Sequence, residues 1–219
     1  MAKENGIDLE TIMRVERVSE EQARAKVRFL REYEKKEASM TIKKLNHQYH
    51  LHEQTIETHT MLTCKELGLP EDDQRITSYI ARWHDVGKLH PEIPQYIWNK
   101  TGLLNEAEWG YIRQHPLKSA EMIEIFPNIK NGALHHHERY DGAGYPGHLS
   151  GKSIPITSQI VFVADTFSAI THDRGYNIPK TPLEAAIEII KCKYTQFDPE
   201  VADAFIKVLK FLGKIPQNT

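Results

Sequence analysis

The stretch ITSQIVFVADTFSAI, Ile156 to Ile170, decides the fold class of this chain. By residue type alone, its β-branched residues would suit a strand. Its apolar residues, however, recur at intervals of three and four positions, which is the period of an α-helix: Ile160, Val163, Ala164, Phe167 and Ile170. No other segment of the sequence alternates as a partner strand would. The stretch is therefore predicted to be a buried helix in an all-α fold.

Start and stop signals divide the chain from about residue 46 onward into further helices. Gly-Leu-Pro at 68–70 and the glycine at position 87 predict two helix ends. Capping signals predict three later helix starts: Asn105 with Glu108, Thr181-Pro182 with Glu184, and Asp198-Pro199. The sequence thus predicts one helical bundle over residues 46–219.

Residues 1–45 differ in composition from the rest of the chain, because they are rich in acidic and basic residues and almost free of glycine and proline. A narrow apolar stripe follows helical spacing: Ala23, Val27, Leu30 and Tyr33. We therefore predict an N-terminal helical extension that is too thin to form a core of its own. A docking or linker role is favoured over a separate signalling role. The extension would lie on the main domain, on a protein partner or on a second copy in a homodimer.

Composition narrows the class of protein. With 219 residues, 40% of them hydrophobic, the chain can bury a full core. A formal net charge of −2 argues against duplex nucleic acid as a partner, because such binding needs clustered Lys and Arg. No apolar run predicts a membrane span, and the first residues lack the layout of a secretion signal, so we expect a cytoplasmic protein. Two widely separated cysteines predict neither a disulfide framework nor a zinc finger.

The chain contains 12 histidines, and imidazole is the commonest protein ligand for transition metals. His84 and Asp85 stand side by side at a predicted helix end, so their side chains can approach one metal from two directions, or the carboxylate can bridge two metals. Asp165 interrupts a buried helix face, where a carboxylate is unfavourable unless it is paired or binds a metal.

Each of these residues also has an ordinary explanation. His84 and Asp85 could form a simple hydrogen bond at the end of a helix, and His115 alone could be a core histidine. Further candidates are His52, His136 and His137. A shared metal centre would account for all of these polar residues at once, whereas separate explanations are needed otherwise.

Four motifs carry a family resemblance: HDVGK at 84–88, QHP at 114–116, HHERYDGAGYP at 136–146 and VADTFSAITHDRGY at 163–176. In this order and spacing they closely resemble the HD-GYP domain, a group of HD-type metal-dependent phosphohydrolases, over about residues 46–212. The resemblance implies an all-α HD-domain bundle with two or sometimes three metal ions, usually iron or manganese. It also implies a bacterial signalling enzyme that hydrolyses cyclic di-GMP or, in some members, cyclic GMP-AMP.

The resemblance assigns the metal ligands motif by motif: His52, His84, Asp85, His115, His136, His137 and Asp165. Asp85 would bridge two divalent ions, of which iron or manganese is expected and other divalent metals remain open. His50 and His59 share the predicted helix of His52. In the family, the metal-binding histidine of this helix lies a fixed number of residues before the motif ELGL, and this spacing selects His52 among the three.

Two positions depart from the family pattern. Gln48 stands where some members place a glutamate that holds a third metal, and an amide is a weaker ligand for a hard cation, so we expect two ions. Asn177 replaces a basic residue that often follows the family's Arg and Tyr. Arg174 is retained as a candidate for gripping guanine or phosphate, but the preference for one cyclic dinucleotide stays open.

Two ions held about 3.5–4 Å apart would turn a bridging water into hydroxide and neutralise charge on the phosphodiester. Lys88 would add a point charge on the phosphate, although its alternative is an exposed lysine at a helix end. Gly144, Tyr145 and Pro146 lie in a glycine-rich loop that would form a wall of the nucleotide pocket, with a plain surface turn as the alternative.

Three hypotheses for the function follow. The leading one is a metal-dependent cyclic dinucleotide phosphodiesterase. The second is an HD phosphohydrolase that acts on another nucleotide phosphoester. The third is a sensor that binds the dinucleotide without cleaving it, and against it stands the presence of every expected ligand except the third-metal glutamate.

Overall fold

The computed structural model describes residues 3–4, 7–25, 27–28, 48–100, 102–124, 126–172 and 178–219, with side chains except at 3, 4, 7, 8, 11, 48–55 and 99. The described residues form the helices α1 (Leu9–Glu16), α2 (Gln48–Glu66), α3 (Glu71–Trp83), α4 (Glu106–Ile112), α5 (His115–Met122), α6 (Pro127–Leu134), α7 (Ile156–Thr171), α8 (Pro182–Lys191) and α9 (Pro199–Phe211). Residues 20–25 and 27–28 are also helical. Short 3-10 turns cover Val86–Leu89, Gln95–Asn99 and Gly151–Ser153.

Helix α7 is the stretch that decided the fold class, and the prediction of a buried helix is confirmed. It packs against α2, α3, α6, α8 and α9, so it lies at the centre of the bundle. Nearly every residue from Ser158 to Ser168 is buried. This explains why residue type suggested a strand: a helix surrounded on all sides needs apolar residues all round.

The predicted helix starts are confirmed. The Asn105 side chain accepts a hydrogen bond from the backbone N–H of Glu108, and the Glu108 carboxylate accepts one from the backbone N–H of Asn105, so the capping box is complete. Thr181 and Glu184 form the same box at the start of α8. Asp198 caps α9 by accepting hydrogen bonds from two backbone N–H groups.

The described part of the N-terminal extension lies on the helical domain. Leu9, Ile12, Ala23 and Val27 all belong to the same hydrophobic core as α7. Leu30 and Tyr33, the rest of the predicted stripe, lie outside the described residues. The boundary between residues 45 and 46 stays a prediction.

Two further features complete the fold. A pair of two-residue strands, β1 (Lys3–Glu4) and β2 (Ile7–Asp8), runs antiparallel ahead of α1 and was not predicted. Among the helices that the structure describes, none is long and apolar enough to cross a membrane.

Candidate metal centre

The end of α3 is pressed against the start of α5, and Gly87 makes this possible. A Cβ on Gly87 would lie 2.2 Å from the carbonyl oxygen of His115, which leaves no room for a side chain. Ser119 joins the two segments, because its hydroxyl donates to the His84 carbonyl (2.6 Å) and accepts from the Gly87 N–H (2.8 Å). This contact brings Asp85, just after α3, next to His115 at the start of α5.

Three histidines make the same contact between Nδ1 and the backbone carbonyl three residues earlier. The Nδ1 of His84 lies 2.9 Å from the carbonyl oxygen of Ala81, that of His115 lies 2.6 Å from Ile112, and that of His136 lies 2.5 Å from Ala133. A carbonyl oxygen can only accept, so each Nδ1 carries the hydrogen. Whenever such a ring is neutral, its Nε2 carries a free lone pair, and this is the tautomer that binds metals through Nε2.

The Nε2 atoms of these histidines converge on Asp85. Its Oδ1 lies 3.1 Å from His115 Nε2 and 3.8 Å from His136 Nε2, and its Oδ2 lies 3.4 Å from His84 Nε2. The Nε2 atoms of His115 and His136 are 3.2 Å apart. The His137 ring lies beside that of His136, with 4.1 Å between ring centroids.

Two overlapping groups of ligand atoms result, each with its atoms within 4.8 Å of one another: His115 with His136 and His137, and His84 with Asp85 and His136. His84 Nε2 and Asp85 Oδ1 are buried and make no hydrogen bond. Buried polar atoms without partners are unfavourable and rare, so these two atoms fit a metal ion that would satisfy them. Imidazole nitrogens with a carboxylate are donors suited to iron, manganese or zinc.

The pKa shifts favour the protonation states that bind metal. Burial lowers the pKa of His136 and of His137 far below the usual value, and neighbouring histidines lower both further. Burial also lowers the pKa of His115. Burial alone would raise the pKa of Asp85, but Lys88 and His84 outweigh it and hold that pKa well below its usual value. His115, His136 and His137 therefore offer neutral imidazoles beside an ionised carboxylate.

His84 behaves differently from the other three. Burial acts to lower its pKa, but the carboxylate of Asp85 outweighs burial and Asp165 adds to the effect, so the pKa of His84 is raised.

Asp165 lies buried in α7 and belongs to neither group of ligand atoms. The side chain of His52, in α2, and the whole of Arg174 lie outside what the structure describes.

Lys88 lies at the edge of the cluster. Its ammonium contacts Asp85 Oδ2 and lies 5.4 Å from the centre of the Trp98 ring. The Trp98 indole N–H in turn donates to the carbonyl of Lys88 at 2.9 Å. The lysine is thus held beside the carboxylate by an ion pair and by an aromatic face.

The glycine-rich loop lies against the cluster. The Tyr145 ring stacks on the His137 ring at 5.0 Å and 25°, and the Tyr145 N–H donates to the His137 carbonyl at 3.2 Å. A Cβ on Gly144 would lie 2.2 Å from the backbone nitrogen of Arg139, so the close approach requires glycine. Of the three loop glycines at 142, 144 and 147, only Gly142 has a positive φ.

Sequence reasoning assigned no role to Glu138, which anchors this loop. Its carboxylate is buried and accepts hydrogen bonds from the N–H groups of Gly147 (2.5 Å) and Leu149 (3.1 Å). The signal that could have found it is its position directly between two predicted ligands and the glycine-rich loop, whose backbone N–H groups need acceptors. His135, by contrast, belongs to neither ligand group, and its Nδ1 lies 2.9 Å from the Asn131 carbonyl.

The fold and the cluster define a class: a helical-bundle protein with a buried His/Asp cluster that could hold a metal ion. The model of the HD domain family matches residues 34–201, so the chain belongs to that family, and to its HD-GYP group. Cyclic di-GMP phosphodiesterase response regulator RpfG of Xanthomonas campestris is 38% identical over 67% of this chain and 39% of its own length. 3'3'-cGAMP-specific phosphodiesterase 2 of Vibrio cholerae is 32% identical over 67% of this chain and 29% of its own length.

The chain thus spans 39% or less of these two relatives. A solved structure of Bd1817, described as an HDG"Y"P protein from Bdellovibrio bacteriovorus, matches with a TM-score of 0.61. It is 16% identical and covers 95% of this chain and 75% of its own. At that identity the likeness shows the fold alone.

Proposed function

We propose that this chain is a metal-dependent phosphodiesterase that hydrolyses a cyclic dinucleotide. The observation that carries the proposal is the pair of buried atoms without hydrogen bonds, His84 Nε2 and Asp85 Oδ1, in a cluster that also holds His115, His136 and His137. Cyclic di-GMP is the first substrate to test and cyclic GMP-AMP the second, because both occur in the names of the relatives.

The proposed ligand set is His52, His84, Asp85, His115, His136, His137 and Asp165. Within it, Asp85 is the candidate bridge, because its Oδ1 faces His115 and His136 while its Oδ2 faces His84. We propose two ions, iron or manganese. When bound, such ions supply positive charge for the phosphoryl oxygens and a water acidic enough to act near neutral pH.

The chain's own residues would orient the substrate. Lys88 would remain a positive charge at the edge of the cluster and attract the anionic phosphodiester, while its contact with Asp85 keeps that carboxylate ionised. Gly144, Tyr145 and Pro146 would form the wall of the pocket beside His137, and Arg174 would grip a base or phosphate. The proposed wall is supported by the Tyr145 ring stacked on His137.

The test begins with protein purified without chelator, whose bound metals are measured. The protein is then incubated with Mn(II) or Fe(II) and a panel of cyclic di-GMP, cyclic GMP-AMP and mononucleotide phosphoesters, and the products are separated by chromatography. We expect cleavage of a cyclic dinucleotide by the wild type and none by Asp85→Ala.

Two other results would redirect the proposal. Cleavage of mononucleotide esters alone would favour the second hypothesis, an HD phosphohydrolase with another substrate. Tight dinucleotide binding without cleavage, equal in the wild type and in Asp85→Ala, would favour a sensor and rule out the phosphodiesterase.

A further inference from the structure

Helix α1 precedes the residues that the family model matches, 34–201, yet it is part of the same core. Leu9 and Ile12 on its inner face are buried in that core. The helix packs against α3 and α6, the two helices that immediately precede His84–Asp85 and His135–His137. An element outside the family match therefore touches both helices that lead into the metal cluster.

The last residue of α1, Glu16, caps α6. Its Oε2 accepts from the N–H of Asn128 at 3.0 Å and its Oε1 accepts from the N–H of Ile129 at 3.2 Å. The side chain of Asn128 also donates to the carbonyl of Val15 at 3.0 Å. The residue at the N-cap of α6, Phe126, forms no side-chain cap, so α6 depends on a carboxylate from a distant part of the sequence.

This carboxylate is well placed to hold α6 firmly. Glu16 is only 5% exposed, so its hydrogen bonds are shielded from water. A negative charge at the amino end of a helix also interacts favourably with the helix dipole. A capping carboxylate that accepts from two N–H groups satisfies two donors that otherwise have no partner at the start of a helix, and so stabilises that end.

The opposite end of α6 leads into the cluster. The helix has eight residues, so it is only about 12 Å long. His136, which follows it, forms a hydrogen bond back to the helix. That bond joins His136 Nδ1 to the carbonyl of Ala133. A tilt at the start of α6 would therefore move His136 relative to Asp85.

Helix α1 also contacts the start of α3. Arg14 Nε donates to Asp72 Oδ2 at 3.1 Å, and Asp72 lies in the first turn of α3. Both partners of this pair are more than a third exposed, so it stabilises little. Glu16, which is buried, makes the stronger of the two contacts.

We propose that Glu16 is a positioning residue for the metal centre, acting through α6 on His136. The inference rests on the proposed function only in that the cluster must bind a metal. Removal of the cap would let α6 shift and spread the ligand atoms, so the site would bind metal less tightly while every proposed ligand is still present.

The experiment compares Glu16→Ala and Glu16→Gln with Thr181→Ala, a matched loss of a cap. Thr181 caps α8, and neither Thr181 nor α8 contributes to the two ligand groups. Metal-stripped proteins are titrated with Mn(II) alone by calorimetry, and thermal unfolding is followed in parallel. We expect Glu16→Ala and Thr181→Ala to lower the Tm similarly, by about 2–4 °C.

The Kd for Mn(II) should separate the variants. We expect it to rise about threefold to tenfold in Glu16→Ala, less in Glu16→Gln, and not at all in Thr181→Ala. An unchanged Kd in both Glu16 variants, with normal binding by the wild type, would show that Glu16 only stabilises the fold. If the wild type itself binds no Mn(II), neither this inference nor the proposed metal centre stands.

Discussion

Asp85 and Glu138 are two carboxylates beside the same histidines, and they are satisfied in opposite ways. Asp85 has its Oδ1 buried without a hydrogen bond, while Lys88 and three imidazoles surround it. Glu138 is 1% exposed, and each of its oxygens accepts a backbone N–H of the glycine-rich loop. The Asp85 carboxylate therefore has an oxygen available for a ligand, whereas both oxygens of Glu138 already accept hydrogen bonds from the protein backbone.

This difference distinguishes two regions of the site, the cluster around Asp85 and the loop around Glu138. The cluster around Asp85 holds two buried atoms without hydrogen bonds, His84 Nε2 and Asp85 Oδ1, so we expect substitutions there to act on metal binding. The loop around Glu138 is closed by the protein's own hydrogen bonds and close backbone contacts, so substitutions there should act on stability and on the shape of the pocket.

The largest effect is expected for His136→Ala, with His135→Ala as its matched control. Changes to residues that merely orient metal ligands reduce affinity about 10–100-fold, so loss of a ligand common to both groups should exceed that range. His135 is the preceding residue in the chain but bonds to Asn131 outside the cluster. Metal content and dinucleotide hydrolysis, measured on both variants, should fall only in His136→Ala; equal losses would contradict the proposed ligand assignment.

Metal removal should have the next largest effect. A metal that binds only the folded chain stabilises it by about 2.7 kcal/mol when its concentration is one hundred times its Kd. Thermal unfolding with and without a chelator should therefore show a lower Tm for stripped wild type. In Asp85→Ala the chelator should change the Tm little, because the cluster has lost its central carboxylate. The same chelator effect in both proteins would place the metal elsewhere.

A smaller effect is expected for Gly144→Ala, with Gly110→Ala as its control. The new methyl group at position 144 would meet backbone atoms of Glu138 and Arg139, which cannot swing aside, so we expect a loss of about 1–3 kcal/mol. Gly110 lies in α4 with nothing within 4 Å of an added Cβ. There the substitution should stabilise by about 0.5–1 kcal/mol through helix propensity. Denaturant unfolding should give opposite signs for the two variants.

The sequence was sufficient for the helices and for much of the cluster. Period and capping signals are local, so α7 and the starts of α4, α8 and α9 could be predicted from neighbouring residues. The resemblance predicted that four residues lie together, and the structure brings them close in space: His84, Asp85, His115 and His136.

Other features depend on contacts that sequence cannot register. Nothing near Glu16 indicates that its carboxylate caps a helix that begins more than one hundred positions later, as its hydrogen bonds to Asn128 and Ile129 show. The predicted roles of His52 and Arg174 remain predictions, because their side chains lie outside the described residues. Glu138 was missed for a related reason: the N–H groups that it accepts become neighbours only when the loop folds back.

The smallest effect, and the one that tests the satisfied carboxylate directly, is expected for Glu138→Gln. An amide has the same shape but offers only one acceptor oxygen, so its NH2 group would face the N–H of either Gly147 or Leu149. An unmet buried donor should lower the free energy of unfolding by about 1–3 kcal/mol, and we expect the low end because the loop borders solvent.

The two carboxylates should then differ in their readouts. In Glu138→Gln, metal content should stay at the wild-type level, while the KM for the cyclic dinucleotide rises because the loop that carries Tyr145 is less firmly held against His137. In Asp85→Asn, which makes the same chemical change, metal content itself should fall, because an amide is a weaker ligand than a carboxylate. Metal analysis and steady-state kinetics on these two variants check whether the cluster and the loop have these separate roles. Loss of metal from Glu138→Gln as complete as that from Asp85→Asn would mean that the loop and the cluster form a single unit.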